Sequence, residues 1–483
     1  MNTYITNELY REGCRCQRLF WLDINNNATY SVHNPELSLL AENYIPGGQT
    51  VLETEPEERA LATCRLATSG ETLIKRPAFL MGKVFAEASV LHLTGNETHI
   101  YFTFPAAHIR RAFFREAAMI CAAAEKTGFY NIRVFLLLPN KEFVRHGKIS
   151  PKEFFILHDM TADAVNFRDK AYIQCKVMEH TAVMWDEPEA SIHQGCFSPD
   201  TCKYFDHCTA HLPHPNVFKI ARLSQNTKLK LYNEGNYAYE SLRDDPRLTD
   251  AQRKQIKMTL SKARPLVKKK ELREYLSTLW YPMCFLDFES WQSPVPPSDN
   301  MHPFEQVAFQ YSLHIKESED APLIHKEFLA HGEADPRKAL AEQLASDIPD
   351  GSCVLAYNKQ FESMVISGLA EAFPHLSQKL CTVRDNIRDL MVPFQKKYYY
   401  DRRMEGSFSI KAVLPALYPD APELSYSNLE GIHNGSQAML SYSTLASLPP
   451  DEAEEVRQRL LKYCSLDTFG MVKILEKLYA AVE

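Results

Sequence analysis

The sequence lacks a hydrophobic run that could cross a membrane. The closest candidate, NIRVFLLLP from residue 131, is about half as long as a spanning helix. The first residues, MNTYITNELYREG, lack the apolar segment of a secretory signal, so we expect a cytoplasmic protein without a membrane span. The sequence also contains no internal repeat and no low-complexity segment. Neither charge sign dominates, because 54 Lys and Arg face 61 Asp and Glu, and the net charge of −7 identifies no partner.

The residues that are present have the proportions of a globular protein. Of 483 residues, 45% are hydrophobic, 24% are charged and 11% are aromatic, which excludes a disordered, collagenous or fibrous chain. The length exceeds that of one compact core and predicts two or three domains. Twelve cysteines in a chain without a secretory signal argue against a disulfide framework and favour metal ligands or simple burial.

The charge is unevenly distributed along the chain. Residues 217–274 contain 15 Lys or Arg and 7 Asp or Glu, which is a net charge of +8 inside an acidic protein. Such a segment suits contact with phosphate groups, and it suits equally well the solvated faces of ordinary helices. Both interpretations stay open at this point.

Hydrophobic periodicity predicts an α/β fold. The segments MCFLDFES, QVAFQYSLHI and SCVLAYN have the character of buried or half-buried strands, and helical patterns separate them. The chain ends on a long amphipathic helix pattern that begins near Asp451. Strands and helices of these lengths favour an α/β layer fold.

Two acidic residues interrupt the first of these strands. In FLDFES, Asp287 and Glu289 are alternate residues, so both carboxylates lie on one face of the strand. Two such groups in apolar surroundings repel each other unless a cation neutralises them, and carboxylate oxygen is the ligand that Mg²⁺ and Mn²⁺ prefer. A chance pair on an exposed sheet edge is the alternative.

Two further segments place polar residues at helical spacing. Asn358 and Glu362 are four residues apart, so we expect them on one face at a helix start. Tyr463 and Asp467 have the same spacing on the last helix, among apolar neighbours. A Tyr–Asp pair on a buried helix face favours a functional site, and a surface hydrogen bond between the two is the alternative.

The order D-x-E, N-x-x-F-E and Y-x-x-x-D resembles the three motifs of DEDD exonucleases, in the tyrosine-bearing branch that includes proofreading domains of family B DNA polymerases. GSFSIKAVLPAL resembles the serine–leucine loop before their last motif, and IRDLMVPF resembles a strand–Asp–Leu element. The resemblance implies a ribonuclease H-like domain that hydrolyses DNA or RNA from single-stranded 3′ ends with two Mg²⁺ or Mn²⁺ ions. Most members have Asp at the position of Glu362, which leaves the metal geometry there open. The implied metal ligands are Asp287, Glu289, Glu362 and Asp467, and Tyr463 is implied to orient the attacking water.

The N-terminal half contains a cluster of cysteines. Cys196, Cys202 and Cys208 lie in QGCFSPDTCKYFDHC, and Cys16 precedes them by 180 residues. Four thiolates suit Zn²⁺ or a [4Fe–4S] cluster, and unligated thiols are a third interpretation. The wide gap resembles the iron–sulfur site of RecB-like and CRISPR-adaptation nucleases, which favours the cluster. Cys14 competes as the first ligand, but CQRLFWL resembles the family element that begins at Cys16.

The resemblance then covers nearly the whole chain. It is to a bacterial family that fuses a RecB-like nuclease module, of restriction-endonuclease-like fold, to a DEDD exonuclease. It implies a module at residues 1–212, a helical linker at 213–278 and an exonuclease domain at 279–483. In the linker, LYNEGNYAYESLRDDPRLTDAQRKQIK resembles a helix-hairpin-helix-like segment that contacts phosphates, and simple packing between the two halves is the alternative.

The RecB-like module departs from its family at the catalytic positions. Ser89 stands where the family has a metal-binding Asp, and IYFT at 100–103 stands where Ile-Glu-Val-Lys is expected. Glu116 and Ile120 stand where Asp and Gln are usual. We therefore expect a module without a catalytic metal, retained to bind nucleic acid or as a scaffold, with misalignment as the alternative. If Glu362 disables turnover, the whole chain is a non-catalytic nucleic-acid-binding or scaffold protein.

Overall fold

A computed structural model describes residues 4–28, 34–332 and 335–483. It is 48% helix and 17% strand, so the predicted α/β class is confirmed. The chain divides into two compact units, Met1–Cys208 with Ser293–Glu305, and Thr209–Gln292 with Gln306–Glu483. The segment that we expected to be a linker thus belongs to the second unit. Among the helices of the described ranges, none combines the length and apolar character needed to cross a membrane.

The first unit contains a six-stranded mixed sheet in the order β1-β2-β5-β6-β7-β8 and a separate β3-β4 hairpin. Strand β6 pairs antiparallel with β5 and parallel with β7. Its elements are α1 (Asn7–Arg15), α2 (Gln17–Asn25), α3 (Pro35–Glu42), β1 (Gln49–Thr50), α4 (Pro56–Thr68), β2 (Leu73–Lys75), β3 (Ala78–Met81), β4 (Val84–Glu87), β5 (Val90–Thr94), β6 (Glu97–Thr103), α5 (Arg111–Thr127), β7 (Ile132–Pro139), α6 (Pro151–Phe154), β8 (Phe155–Asp159), α7 (Thr161–Ala182) and α8 (Phe205–Thr209).

The second unit begins with short helices and continues into a mixed five-stranded sheet. Its elements are α9 (Gln225–Asn233), α10 (Tyr239–Leu242), α11 (Asp250–Leu260), β9 (Leu266–Val267), α12 (Lys269–Leu276), β10 (Met283–Gln292), β11 (Gln306–Lys316), β12 (Ile324–Leu329), α13 (Arg337–Asp347), β13 (Cys353–Ala356), α14 (Gln360–Ala372), α15 (Ser377–Asp385), β14 (Ile387–Asp389), α16 (Val392–Gln395), β15 (Tyr399–Tyr400), α17 (Ile410–Leu417), α18 (Gly435–Thr444) and α19 (Pro450–Ala480).

The order of the five-stranded sheet is β12-β11-β10-β13-β14. Strands β12, β11 and β10 pair antiparallel, whereas β10, β13 and β14 are parallel. On β10, Phe285 packs with α17, α18 and α19 on one face, while Leu286 and Phe288 pack with α13, α14 and α15 on the other. Because side chains alternate along a strand, Asp287 and Glu289 lie on the α19 face.

Helix α19 is fixed on this face by hydrogen bonds to β11. The buried side-chain amide of Gln310 donates to the Leu460 carbonyl oxygen over 2.9 Å. Farther along the helix, the hydroxyl oxygens of Ser312 and Thr468 lie 2.7 Å apart, and both side chains are buried. Since Thr468 follows Asp467 directly, the second bond fixes the part of the helix that carries the predicted carboxylate.

Candidate metal centre

Three carboxylates of the second unit meet beside β10. Oxygen atoms of Asp287, Glu289 and Asp467 lie within 4.8 Å of one another. The first two are alternate residues of β10, and α19 supplies the third. Glu289 and Asp467 are buried, and Asp287 is half-buried. The structure thus brings the strand pair and the helix carboxylate into one acidic group.

Burial raises the pKa of each member of this group, and repulsion from neighbouring carboxylates adds to the effect at Asp287 and Glu289. Burial, followed by the charges of Asp467 and Glu289, raises the pKa of Asp287 well above its usual range. Burial, followed by the charge of Asp467, raises the pKa of Glu289 to about 8. The pKa of Asp467 is raised by burial to about 6, while Tyr426 and Lys411 act to lower it. Protons stabilise such a group at low pH, and a divalent cation would do so once the protons leave.

Glu362 lies near this group without joining it at the same short distance. Its side chain, on α14, is only 2% exposed. Its Oε2 atom has no hydrogen-bond partner in the described part of the chain. Burial, followed by the charges of Asp389 and Asp467, raises the pKa of Glu362 to about 8. A buried carboxylate oxygen without a donor is costly, and a cation would remove that cost, so Glu362 fits the metal site.

The expectation that Asn358 and Glu362 share a helix face is wrong. Helix α14 begins at Gln360, after its N-cap residue Lys359. Asn358 precedes the helix and has a φ of 75°, which is a left-handed conformation that asparagine tolerates. Its backbone N–H donates to the Asp389 carboxylate over 3.1 Å. Asn358 therefore shapes the turn before Glu362 rather than presenting its side chain from the helix.

Tyr463 lies beside the carboxylates and has a partner that the motif search did not identify. It is 3% exposed, and burial, followed by the charge of Asp467, raises the pKa of its hydroxyl. The Lys411 ammonium donates to the Tyr463 hydroxyl oxygen over 3.0 Å and to the His433 carbonyl oxygen over 2.8 Å. Because Lys411 occupies an acceptor position of the hydroxyl, the Tyr463 proton stays available for donation to another group.

A glycine on α19 lies against the helix that carries Lys411. A Cβ atom at Gly470 would lie 2.8 Å from a Leu414 methyl carbon, so a side chain there would require the end of the Leu414 side chain to shift. Leu414 is one helical turn after Lys411 on α17. Helices α17 and α19 thus pack closely next to the lysine.

Tyr426 is a second residue that the motifs did not identify. Its hydroxyl donates to Asp467 Oδ1 over 2.5 Å, and its ring packs edge-on against Tyr463 with centroids 6.3 Å apart. It lies in a short 3-10 turn, Tyr426–Asn428, between α17 and α18. A single tyrosine in irregular structure has no periodicity, whereas the lysine lay within the GSFSIKAVLPAL segment and could have been examined there.

Three of the positions at which the resemblance to RecB-like nucleases implies catalytic residues, Ser89, Thr103 and Glu116, line one cavity of about 200 Å³ in the first unit. The glutamate at the acidic position, Glu116, forms an ion pair with an arginine. Arg11 donates to Glu116 Oε2 over 2.7 Å, and the Asn7 side-chain amide donates to the other oxygen over 2.8 Å. The Thr103 hydroxyl donates to the Leu137 carbonyl oxygen over 2.8 Å. Glu8, Glu42 and Glu87 also line the cavity, but Arg11 pairs with Glu8 and Arg59 pairs with Glu87. In the described ranges, no three of these glutamates form a group that could hold a metal ion.

The four predicted cysteine ligands line a second, small cavity of the first unit, with Arg15, Leu19, Gly195, Tyr204 and Phe205. The Arg15 guanidinium donates to the carbonyl oxygens of Gly195 and Asp200, each over 2.6 Å. These bonds join the start of the chain to the three-cysteine segment. Burial raises the pKa of Cys196, and a backbone hydrogen bond at His193 lowers it to a smaller extent. The other three thiols also raise it. The four cysteines are Cys16, Cys196, Cys202 and Cys208.

The positions of the sulfur atoms distinguish the candidate ligands. Cys14 is directed elsewhere, since its Sγ lies 3.4 Å from Gln174 Oε1 and it packs against the main core of the unit. In the described ranges, no three of the four cavity cysteines have Sγ atoms that all lie within 4.8 Å of one another.

Comparison with known proteins adds a partial match. A family model described as a domain of unknown function, DUF2779, matches residues 284–409. The matched range contains Asp287, Glu289 and Glu362 and ends before Tyr463 and Asp467. A comparison with curated proteins gave no match. The similarity therefore covers part of the acidic site and carries no activity with it.

Proposed function

We propose that the second unit is a metal-dependent 3′–5′ exonuclease of the DEDD type, with a ribonuclease H-like fold, that acts on DNA or RNA. The observation that carries the proposal is the close approach of Asp287, Glu289 and Asp467, with oxygens within 4.8 Å, beside Tyr463. The mixed five-stranded sheet supports the fold. The order of Asp287, Glu289, Tyr463 and Asp467 along the chain matches the order of the exonuclease motifs.

The carboxylates would hold two Mg²⁺ or Mn²⁺ ions, with Glu362 as the fourth ligand. Hard divalent cations prefer carboxylate oxygen, and the raised pKa values and the unpartnered Glu362 oxygen indicate a site that needs positive charge. When bound, such ions activate a water molecule and stabilise the leaving oxygen in phosphodiester hydrolysis.

The remaining residues of the site act on the substrate side. The Tyr463 hydroxyl would orient the attacking water, because Lys411 fixes the hydroxyl and leaves its proton free. Tyr426 would hold Asp467 in one rotamer through its 2.5 Å hydrogen bond. Lys411 is exposed at the edge of the site, where a positive charge suits the phosphate at the 3′ end of a single strand.

The first unit would then be a RecB-like module that no longer cuts. The Arg11–Glu116 and Asn7–Glu116 contacts support this part of the proposal, because they occupy both oxygens of the Glu116 carboxylate. The module would bind nucleic acid or act as a scaffold. Its four cysteines, which line one cavity, would hold a [4Fe–4S] cluster, with one zinc ion as the alternative. A cytoplasmic location, as the sequence suggests, would keep these thiols reduced.

The test is a nuclease assay on the purified full-length protein. Single- and double-stranded DNA and RNA, labelled at the 5′ or the 3′ end, are incubated with Mg²⁺, Mn²⁺ or EDTA. We expect 5′-labelled single strands to shorten one nucleotide at a time and 3′-labelled strands to release mononucleotides, only with metal. If no substrate shortens with either metal, the non-catalytic binding or scaffold function replaces the exonuclease.

A further inference from the structure

Three cations of the second unit form a cluster without acidic partners. They are Arg222, in the loop before α9, Lys254, on α11, and Lys397, in the turn between α16 and β15. The charges of Arg222 and Lys254 both act on Lys397 and, after burial, lower the pKa of its ammonium. Within the described part of the chain, no carboxylate forms an ion pair with any of the three. We call this group the cation cluster.

Two buried glutamines of α11 bond the backbone of Ala221, the residue before Arg222. The Gln252 side-chain amide donates to the Ala221 carbonyl oxygen over 3.0 Å, and the Ala221 N–H donates to Gln255 Oε1 over 3.0 Å. Lys254 lies between these glutamines on the same helix and is exposed. Arg222 itself has a φ of 54°, a left-handed conformation that is uncommon for a residue with a side chain.

Lys397 reaches the cluster from a separate turn. It also has a φ of 54°, and its N–H donates to the Phe394 carbonyl oxygen over 3.0 Å. The next residue, Tyr398, accepts a backbone hydrogen bond of 2.7 Å from Lys268, which pairs β15 with the β9 segment. Three separate segments thus bring like charges near one another, and a bound anion would relieve the repulsion that solvent does not screen.

The cluster is joined to the carboxylate site by one loop. The Arg222 guanidinium lies over the Phe408 ring, 5.7 Å from its centroid. The Phe408 carbonyl oxygen accepts a 2.8 Å hydrogen bond from the Tyr357 hydroxyl, next to the turn that leads to Glu362. Phe408 is three residues before Lys411, which bonds Tyr463. The same loop therefore contacts the cluster at one residue and the site at another.

We propose that the cation cluster binds the phosphodiester backbone of a single-stranded nucleic acid whose 3′ end lies at the carboxylates. Lysine and arginine side chains bind phosphates without reading bases, so the contact would be independent of sequence. The direction of the strand rests on the proposed exonuclease function, whereas phosphate binding by the cluster requires no hydrolysis. Phe408, half-buried beside Arg222, offers a ring next to this path.

The test measures binding of full-length protein in EDTA, so that it does not depend on catalysis. Fluorescent 20-nucleotide single strands of DNA and of RNA are titrated at several salt concentrations. The test variant combines Arg222→Gln, Lys254→Gln and Lys397→Gln. The matched control removes three positive charges elsewhere in the same unit, with Lys230→Gln, Lys316→Gln and Lys338→Gln. Lys254→Glu alone, at an exposed position, serves if the triple variant has a lowered melting temperature.

We expect the test variant to bind about tenfold more weakly. The slope of the logarithm of the binding constant against the logarithm of the salt concentration should become shallower by about two, since each lost phosphate contact of a single strand removes about 0.7 from that slope. The control should bind as the wild type does. Equal losses in the test and control variants, or wild-type affinity in the test variant and in Lys254→Glu, would overturn the proposal. A wild type that binds through the cluster but hydrolyses nothing would reject the exonuclease function alone. The DNA and RNA arms show which backbone is preferred.

Discussion

The Lys411 ammonium donates to the Tyr463 hydroxyl oxygen over 3.0 Å, across 52 positions of the sequence. Lys411 also lowers the pKa of Glu289 and of Asp467, against the larger effect of burial. One lysine thus acts on the tyrosine and on two carboxylates of the candidate site. It lies on α17, which packs closely against α19 at Gly470.

This contact leads to a prediction about turnover. Tyr463→Phe should lower the exonuclease rate by about 10²–10⁴-fold, the usual contribution of a positioned acid–base side chain. Lys411→Met should lower it by roughly 10–100-fold, the equivalent of one charge-assisted hydrogen bond. Lys473→Met is the matched control, since Lys473 pairs with Glu476 on the other part of α19. Single-turnover rates measure both effects, and an unchanged rate for Lys411→Met would remove it from the mechanism.

The raised pKa values predict a pH dependence of stability. Folding raises the pKa of Asp467 to about 6 and that of Glu289 and Glu362 to about 8. Between the unfolded values near 4 and these folded values, the native state binds more protons than the unfolded state, so the free energy of unfolding falls as pH rises. In EDTA, the melting temperature of the second unit should therefore decrease from pH 5 to pH 8.

The matched variant isolates this effect from other titrating groups. Glu289→Gln should make the fall in melting temperature between pH 5 and pH 8 smaller by a few degrees. In a unit of this size, each kcal/mol of unfolding free energy corresponds to about 2–4 °C. Added Mn²⁺ should also reduce it in the wild type but less in the variant. Differential scanning calorimetry makes the comparison, and an identical pH profile for both proteins would contradict the assigned coupling.

The sequence predicted the parts of the site that follow a period. Asp287 and Glu289 alternate on a strand, and Tyr463 and Asp467 are four residues apart on a helix, so short-range geometry was sufficient. Tyr426 could not be found in this way, because it lies in irregular structure and reaches Asp467 across 41 positions. Such contacts depend on tertiary packing, which no local pattern contains.

The same limit explains other differences between expectation and structure. Asn358 was expected on a helix because the i, i+4 spacing fits one, but a turn held by Asp389 precedes α14. The resemblance implied a RecB-like module with Ser89 at a catalytic position, but no sequence pattern indicated the ion pair between Arg11 and Glu116. Arg11 and Glu116 are 105 positions apart, and only the fold brings them together.

This ion pair gives a prediction for the first unit. Arg11→Ala should destabilise the unit by about 3–5 kcal/mol, because it leaves the buried Glu116 carboxylate without its partner. Arg65→Ala should cost less than about 1 kcal/mol, since the Arg65–Glu53 pair is exposed. Combining Arg11→Met with Glu116→Leu should restore most of the loss. Urea unfolding measures the three values, and equal costs for Arg11→Ala and Arg65→Ala would contradict the buried role.

The cysteine cavity predicts an iron–sulfur protein. Protein purified without oxygen should be brown, absorb broadly near about 400 nm and contain about four irons per chain. Replacing any one of its four ligands by Ser should remove the iron and lower the melting temperature, whereas Cys14→Ser should keep both. One zinc per colourless chain would replace the cluster by a zinc site. The ligand positions are Cys16, Cys196, Cys202 and Cys208.

The most direct measurement compares Asp287→Ala with Asp320→Ala in full-length protein on a 5′-labelled single strand with Mn²⁺. Asp287 belongs to the acidic group, whereas Asp320 is an exposed aspartate of the same unit. We expect a ladder of shortening products from the wild type and Asp320→Ala. We expect no cleavage of any kind from Asp287→Ala, because we propose that the first unit does not cut. Wild-type shortening by Asp287→Ala would contradict the account.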